Sequence, residues 1–84
     1  GLGDVYKRQE EDLYQLDSRV PISDLNALLE IDLPATEFHT AGGFVESRLR
    51  HIPVTGESVT EAGWRFTVIE ANERAVLKLR IERI

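Results

Sequence analysis

Two adjacent glycines at the start of a helix are the first place where this 84-residue chain could do chemistry. The run Thr40-Ala41-Gly42-Gly43-Phe44-Val45 sets a good N-cap before a first turn whose free N–H groups and positive dipole end suit an anion. Glycine costs about 1 kcal/mol against alanine inside a helix. The pair therefore needs a reason: a close backbone approach by an anionic ligand, or close packing against the sheet or the first helix. Without the strand-to-loop placement and further glycines of a phosphate-binding fingerprint, packing is the favoured reading. Four cations form a second candidate group. Arg48 and Arg50 follow on the same helix, pointing away from its apolar stripe toward solvent or the acidic half, and Lys78 and Arg80 make a one-sided basic row on a late strand. They could bind phosphate or a protein partner, although a solvated face or edge protection is the plainer account of the strand pair.

The remaining side chains give catalysis little to work with. His39 and His51 are the only histidines. They would stand about 16 to 18 Å apart along a helical stretch, and zinc needs three or four convergent ligands, so no metal site is expected. No nucleophile sits beside a base, the carboxylates are scattered, and there is no P-loop, His-Glu-x-x-His or calcium loop. Trp64 could stack on a ligand, but it is in phase with core residues. A core this small also leaves little room for a concave pocket, so the chain is read as having no enzymatic activity of its own.

Composition narrows the class further. The length allows one domain at most, and the chain has no cysteine to staple it. No stretch approaches the ~20 apolar residues that cross a bilayer, and no signal peptide opens the chain. Beginning at Gly1 with no methionine, it reads as a fragment of something longer. A net charge of -5 argues against a nucleic-acid surface. Residues 1–46 hold ten acidic and three basic side chains and residues 47–84 hold five and seven, so the halves carry -7 and +2. Such a dipolar chain can pair its halves or dock to a partner.

The elements that must position these residues follow from pattern. Residues 1–9 show no period of two or 3.6 and read as a foreign tail, with the acidic run Glu10-Glu11-Asp12 as linker, so the domain is expected from residue 12 to residue 84. Leu13 to Leu16 reads as a strand that turns at Asp17-Ser18 and pairs with Arg19-Val20 as a small ribbon. Ser23 is the expected N-cap of a helix to about Leu29, with Leu25, Leu28 and Leu29 on one face, and Phe38 plugs the core from the connector that follows. The main helix carries Phe44, Val45, Leu49 and Ile52 as an apolar stripe until Pro53 stops it. Three β-rich runs come next: Ser58 to Glu61, a tight turn at Ala62-Gly63, Trp64, Phe66 and Val68 alternating with Arg65, Thr67 and Ile69, a turn at Asn72-Glu73, and Leu77, Leu79 and Ile81 alternating with Lys78, Arg80 and Glu82. The expected fold is a small α+β two-layer sandwich of two helices on a mainly antiparallel sheet.

Several linked motifs point to a family. Arg19-Val-Pro-Ile-Ser-Asp-Leu-Asn-Ala-Leu-Leu-Glu-Ile-Asp-Leu-Pro34, Thr40-Ala-Gly-Gly-Phe-Val45, His51-Ile-Pro-Val-Thr-Gly-Glu57 and Gly63-Trp-Arg-Phe-Thr-Val68, in that order and spacing, resemble the CorC/HlyC transporter-associated domain. The resemblance covers about residues 12–84. It implies a C-terminal domain on the cytosolic face of bacterial hemolysin-like membrane proteins, following a membrane domain and a CBS pair, and linked to magnesium and cobalt efflux. It also implies a fold similar to a subdomain of the PCMH-type FAD-binding fold, which does not carry flavin binding with it.

The function expected from the resemblance is that of a non-catalytic regulatory or interaction domain. It would dock to the CBS pair, to the membrane domain or to a twin in a homodimer, with Gly42, Gly43, Arg48, Arg50, Lys78 and Arg80 as candidate ligand or docking residues and no cofactor. The alternative is a small-ligand sensor that binds an adenine nucleotide or FAD, with Gly42-Gly43 as the phosphate approach. Direct divalent-ion sensing by the acidic half is a third, weaker reading.

Overall fold

The computed structural model describes residues 6–84, in which the elements run β1 (Tyr6–Glu10), β2 (Leu13–Asp17), α1 (Ile22–Leu29), α2 (Ala41–Leu49), β3 (Ser58–Glu61), β4 (Trp64–Ala71) and β5 (Val76–Arg83). The strands form one antiparallel sheet in the order β1-β2-β5-β4-β3, so the expected β3-β4-β5 meander is part of a wider sheet. The alternation at Trp64, Phe66 and Val68 fixes which side is covered. These three residues, with Leu16, Leu79 and Ile81, bury against Leu25 and Leu29 of α1 and Phe44 and Val45 of α2, so both helices lie on one face. The other face carries the intervening residues, of which Arg65, Glu70, Lys78 and Arg80 are exposed. This is the α+β sandwich expected from the pattern.

Four expectations need correction. Residues 6–9, read as tail, and Glu10, read as linker, form β1, which pairs with β2 from Tyr6↔Leu16 to Glu10↔Leu13; residues 1–5 lie outside the described part. The side chains of residues 7–10 are all exposed, so no apolar period marks this strand and main-chain pairing holds it. The ribbon of Leu13–Leu16 with Arg19–Val20 does not form. Instead β2 pairs with β5, and Arg19 folds back so that its backbone N–H and its guanidinium both bond the Asp17 carboxylate, at 2.8, 2.9 and 3.1 Å. Those hydrogen bonds hold the Asp17 carboxyl below its usual pKa.

Helix boundaries supply the other two. Pro21, in extended conformation, is the N-cap of α1 in place of Ser23, and the His39 carbonyl accepts from the Ile22 N–H at 2.9 Å, so no capping side chain is required. At the far end α2 stops at Leu49, three residues before Ile52. Arg50 adopts a left-handed conformation (φ 61°) with its N–H bonded to the Glu46 carbonyl, and Ile52 is 65% exposed. Helical period thus ran past the true end.

The β3–β4 turn invites a first prediction. Ala62 (φ 54°) and Gly63 (φ 86°) are both left-handed, as a two-residue hairpin turn of this hand requires. Alanine is strained there, whereas asparagine tolerates the conformation. Ala62→Asn should raise stability by about 0.5–1 kcal/mol, read as a higher urea midpoint with an unchanged slope.

Candidate functional site

The first turn of α2 is built from backbone contacts. Thr40 caps it, its Oγ1 accepting from the Gly43 N–H at 3.0 Å. The other early donors are also engaged: Ala41 N–H to the Val20 carbonyl (2.9 Å), Gly42 N–H to the Ser18 carbonyl (2.9 Å) and Phe44 N–H to the Thr40 carbonyl (3.0 Å). A helix start attracts an anion through N–H groups that lack an intrahelical partner, and here those of Ala41, Gly42 and Gly43 are all taken. Gly42 is pressed against the β2–α1 turn, where an added Cβ would stand 2.7 Å from Ser18 Cβ and 3.2 Å from its carbonyl oxygen. Close packing accounts for that glycine. At Gly43 the nearest atom to an added Cβ is Thr40 Oγ1, at 3.2 Å.

The four candidate cations fall on two sides of the molecule. Arg48 lies over the rings of Phe44 and Phe38, its guanidinium carbon 5.2 and 5.6 Å from their centroids, with Nε 3.4 Å from Glu61 Oε1. Its acidic partner is therefore on β3, outside the acidic half. Arg50 is the exposed C-cap of the same helix. Lys78 and Arg80 alternate with buried Leu79 and Ile81 and so occupy the face turned away from both helices. The six candidates do not converge on one site.

Other polar groups are structural ties that spacing did not suggest. Asn26 bonds both the N–H and the carbonyl of Leu33, at 2.8 and 2.9 Å, and so fastens the connector to α1. Glu46 accepts from the Val76 N–H at 2.9 Å and ties α2 to the start of β5. Glu57 takes the Val54 N–H at 2.9 Å on one carboxylate oxygen and His51 Nε2 on the other, closing the loop after α2. Arg83 reaches across the halves to Asp12 at 3.2 Å while lying 4.4 Å over the Trp64 ring. Among the described residues no three His, Asp or Glu side chains are grouped to hold a metal ion, and no helix is long and apolar enough to cross a membrane.

Comparison with known proteins fits this geometry. Residues 7–84 match the CorC_HlyC family model, a transporter associated domain. The chain belongs to the CorC_HlyC family. A solved CorC_HlyC domain from Nitrosomonas europaea superposes with a TM-score of 0.86 at 30% identity, over 95% of this chain and 96% of that one. The polyamine export protein of Escherichia coli K12 is 33% identical over the whole of this chain, which spans 19% of that protein. The magnesium and cobalt efflux protein CorC of Vibrio cholerae is 35% identical over 71% of this chain and 21% of its own length. The chain thus spans about a fifth of the length of these larger relatives.

Proposed function

We propose that this CorC_HlyC domain is a non-catalytic regulatory module that docks, on the cytosolic side of the inner membrane, to the rest of a bacterial cation transporter. The expected contacts are a CBS pair, the membrane domain or a twin domain. The observation that carries this reading is the second face of the sheet: two helices cover one side, while among the described residues no helix covers the other, where Lys7, Ser58, Arg65, Lys78 and Arg80 are exposed. A face of that kind can couple a change in the transporter to the domain through differential binding, with no chemistry of its own. The relatives' names, polyamine export and magnesium and cobalt efflux, support a cation as the parent's cargo.

Binding of the 84-residue chain to its parent lacking this domain, purified in neutral detergent, is the direct test. Saturable binding is expected, and its absence would end the docking reading. The nucleotide-sensor alternative meets a specific obstacle, since the N–H groups of Ala41, Gly42 and Gly43 are already bonded. Thermal unfolding with ATP, AMP, FAD, Mg²⁺ and Co²⁺ added in turn should leave the midpoint in place. A ligand at a hundred times its Kd would add about 2.7 kcal/mol of stability, so a rise with a nucleotide or flavin would replace docking by sensing.

A further inference from the structure

The pairing register lines up side chains from all five strands on this second face. Lys7 of β1 opposes Gln15 of β2, Gln15 opposes Arg80 of β5, Arg80 opposes Thr67 of β4, and Thr67 opposes Ser58 of β3. Adjacent strands are about 4.8 Å apart, so this row runs about 19 Å across the sheet. Every member is a hydrogen-bond donor and none is a carboxylate. Thr67 is buried and Gln15 half-buried, so Lys7, Arg80 and Ser58 are the exposed members. Gln15 Oε1 already accepts from Gln9 Nε2 at 3.1 Å, which leaves its amide nitrogen as the end free to donate.

The rows on either side are different. On one side Lys78 stands between Asp17 and Glu70; on the other, Glu82 stands between Leu13 and Arg65, with Arg65 Nη1 3.5 Å from Glu82 Oε1. Each neighbouring row therefore carries its own carboxylates. Arg80, exposed at the centre of the sheet, has neutral Gln15 and Thr67 as its register partners, and among the described residues it has no ion pair. A guanidinium without an ion pair, with the Gln15 amide nitrogen beside it, is complementary to a carboxylate, which it can grip through two parallel hydrogen bonds.

We infer that this row is the docking seam for an acidic segment of the parent transporter, with Arg80 holding one of its Asp or Glu carboxylates. The inference rests on the docking reading above and adds the surface and the chemistry of the partner. Two alternatives fit less well. A second copy laid face to face about a two-fold axis through β5 would set Arg80 against Arg80. A broad anionic bilayer would meet the carboxylates of both neighbouring rows, whereas a narrow acidic strip meets the donor row alone.

The test uses the 84-residue chain and its parent lacking this domain in neutral detergent, with affinity measured by calorimetry. Arg80→Glu and Arg80→Gln should each weaken binding about tenfold or more, as loss of a charge-assisted pair does, while Lys78→Gln stays within about twofold. Far-UV circular dichroism and the urea midpoint establish that each variant is folded, and the milder Arg80→Gln serves if Arg80→Glu is not. Carbodiimide coupling should join the Lys7 amine to a carboxylate of the partner. Saturable binding that Arg80→Gln leaves unchanged would overturn this inference and leave docking standing; no binding by the unaltered chain would overturn both. Two further results would also sink it: Arg80-dependent binding to phosphatidylglycerol vesicles without binding to the parent, or an Arg80-dependent dimer seen by sedimentation.

Discussion

Gly42→Ala should lose about 2 kcal/mol of stability, although alanine is the better helix former by about 1 kcal/mol. The sign is set by the neighbour's lack of freedom. The new methyl would lie 2.7 Å from Ser18 Cβ, an atom one bond from the backbone, and the backbone of Ser18 is bonded at both ends. Its N–H donates to the Leu77 carbonyl at 2.9 Å and its carbonyl accepts from the Gly42 N–H at 2.9 Å. Ser18 cannot retreat without breaking the β2–β5 edge or the start of α2, so the cost falls in the range of about 1–3 kcal/mol for overpacking and exceeds the propensity gain. Gly43→Ala is the matched control. Its methyl meets only a hydroxyl at 3.2 Å, and stability should be unchanged or slightly raised. Urea unfolding of both variants checks the pair: equal midpoints would remove the packing account of Gly42, and a nucleotide-binding defect in Gly43→Ala would revive the sensor reading.

The contrast between the glycines shows what a sequence can carry. Thr40 was legible as a cap because a side-chain oxygen reaching an N–H three residues on is a local event. Trp64, Phe66 and Val68 were legible because one buried and one open face impose a period of two. The Ala62-Gly63 turn was legible from its residue types. By contrast β1 has no side chain buried among residues 7–10 and leaves no pattern, and α2 ends on a left-handed Arg50 where sequence rules look for glycine. The glycine doublet announced a tight place without saying which residue was tight, since Ser18 is distant in sequence. The donor row was the least legible feature. Lys78 and Arg80 look equivalent two residues apart on one strand, and only the registers with β2 and β4 place carboxylates opposite the first and neutral donors opposite the second.

Phe44→Ala should cost about 3–5 kcal/mol, a large part of the whole stability of a domain this size. Phe44 is completely buried and links the two layers, its ring edge-on to Phe66 of β4 at 5.3 Å and to Phe38 of the connector at 5.6 Å. Such ring pairs add about 0.5–1.5 kcal/mol beyond the area buried. The same ring carries the Arg48 guanidinium, so truncation also removes part of what positions that side chain. Phe44→Leu keeps most of the volume and loses the ring geometry, and about 1–2 kcal/mol is expected. The pair also separates fold from docking. The donor row is set by main-chain pairing among β2, β5 and β4 on the opposite face, so Phe44→Leu, measured well below its unfolding midpoint, should bind the parent as the unaltered chain does. A binding loss in folded Phe44→Leu comparable to that of Arg80→Gln would mean that the helical layer makes the contact, and the partner surface would then have to be sought around Arg48 and Arg50.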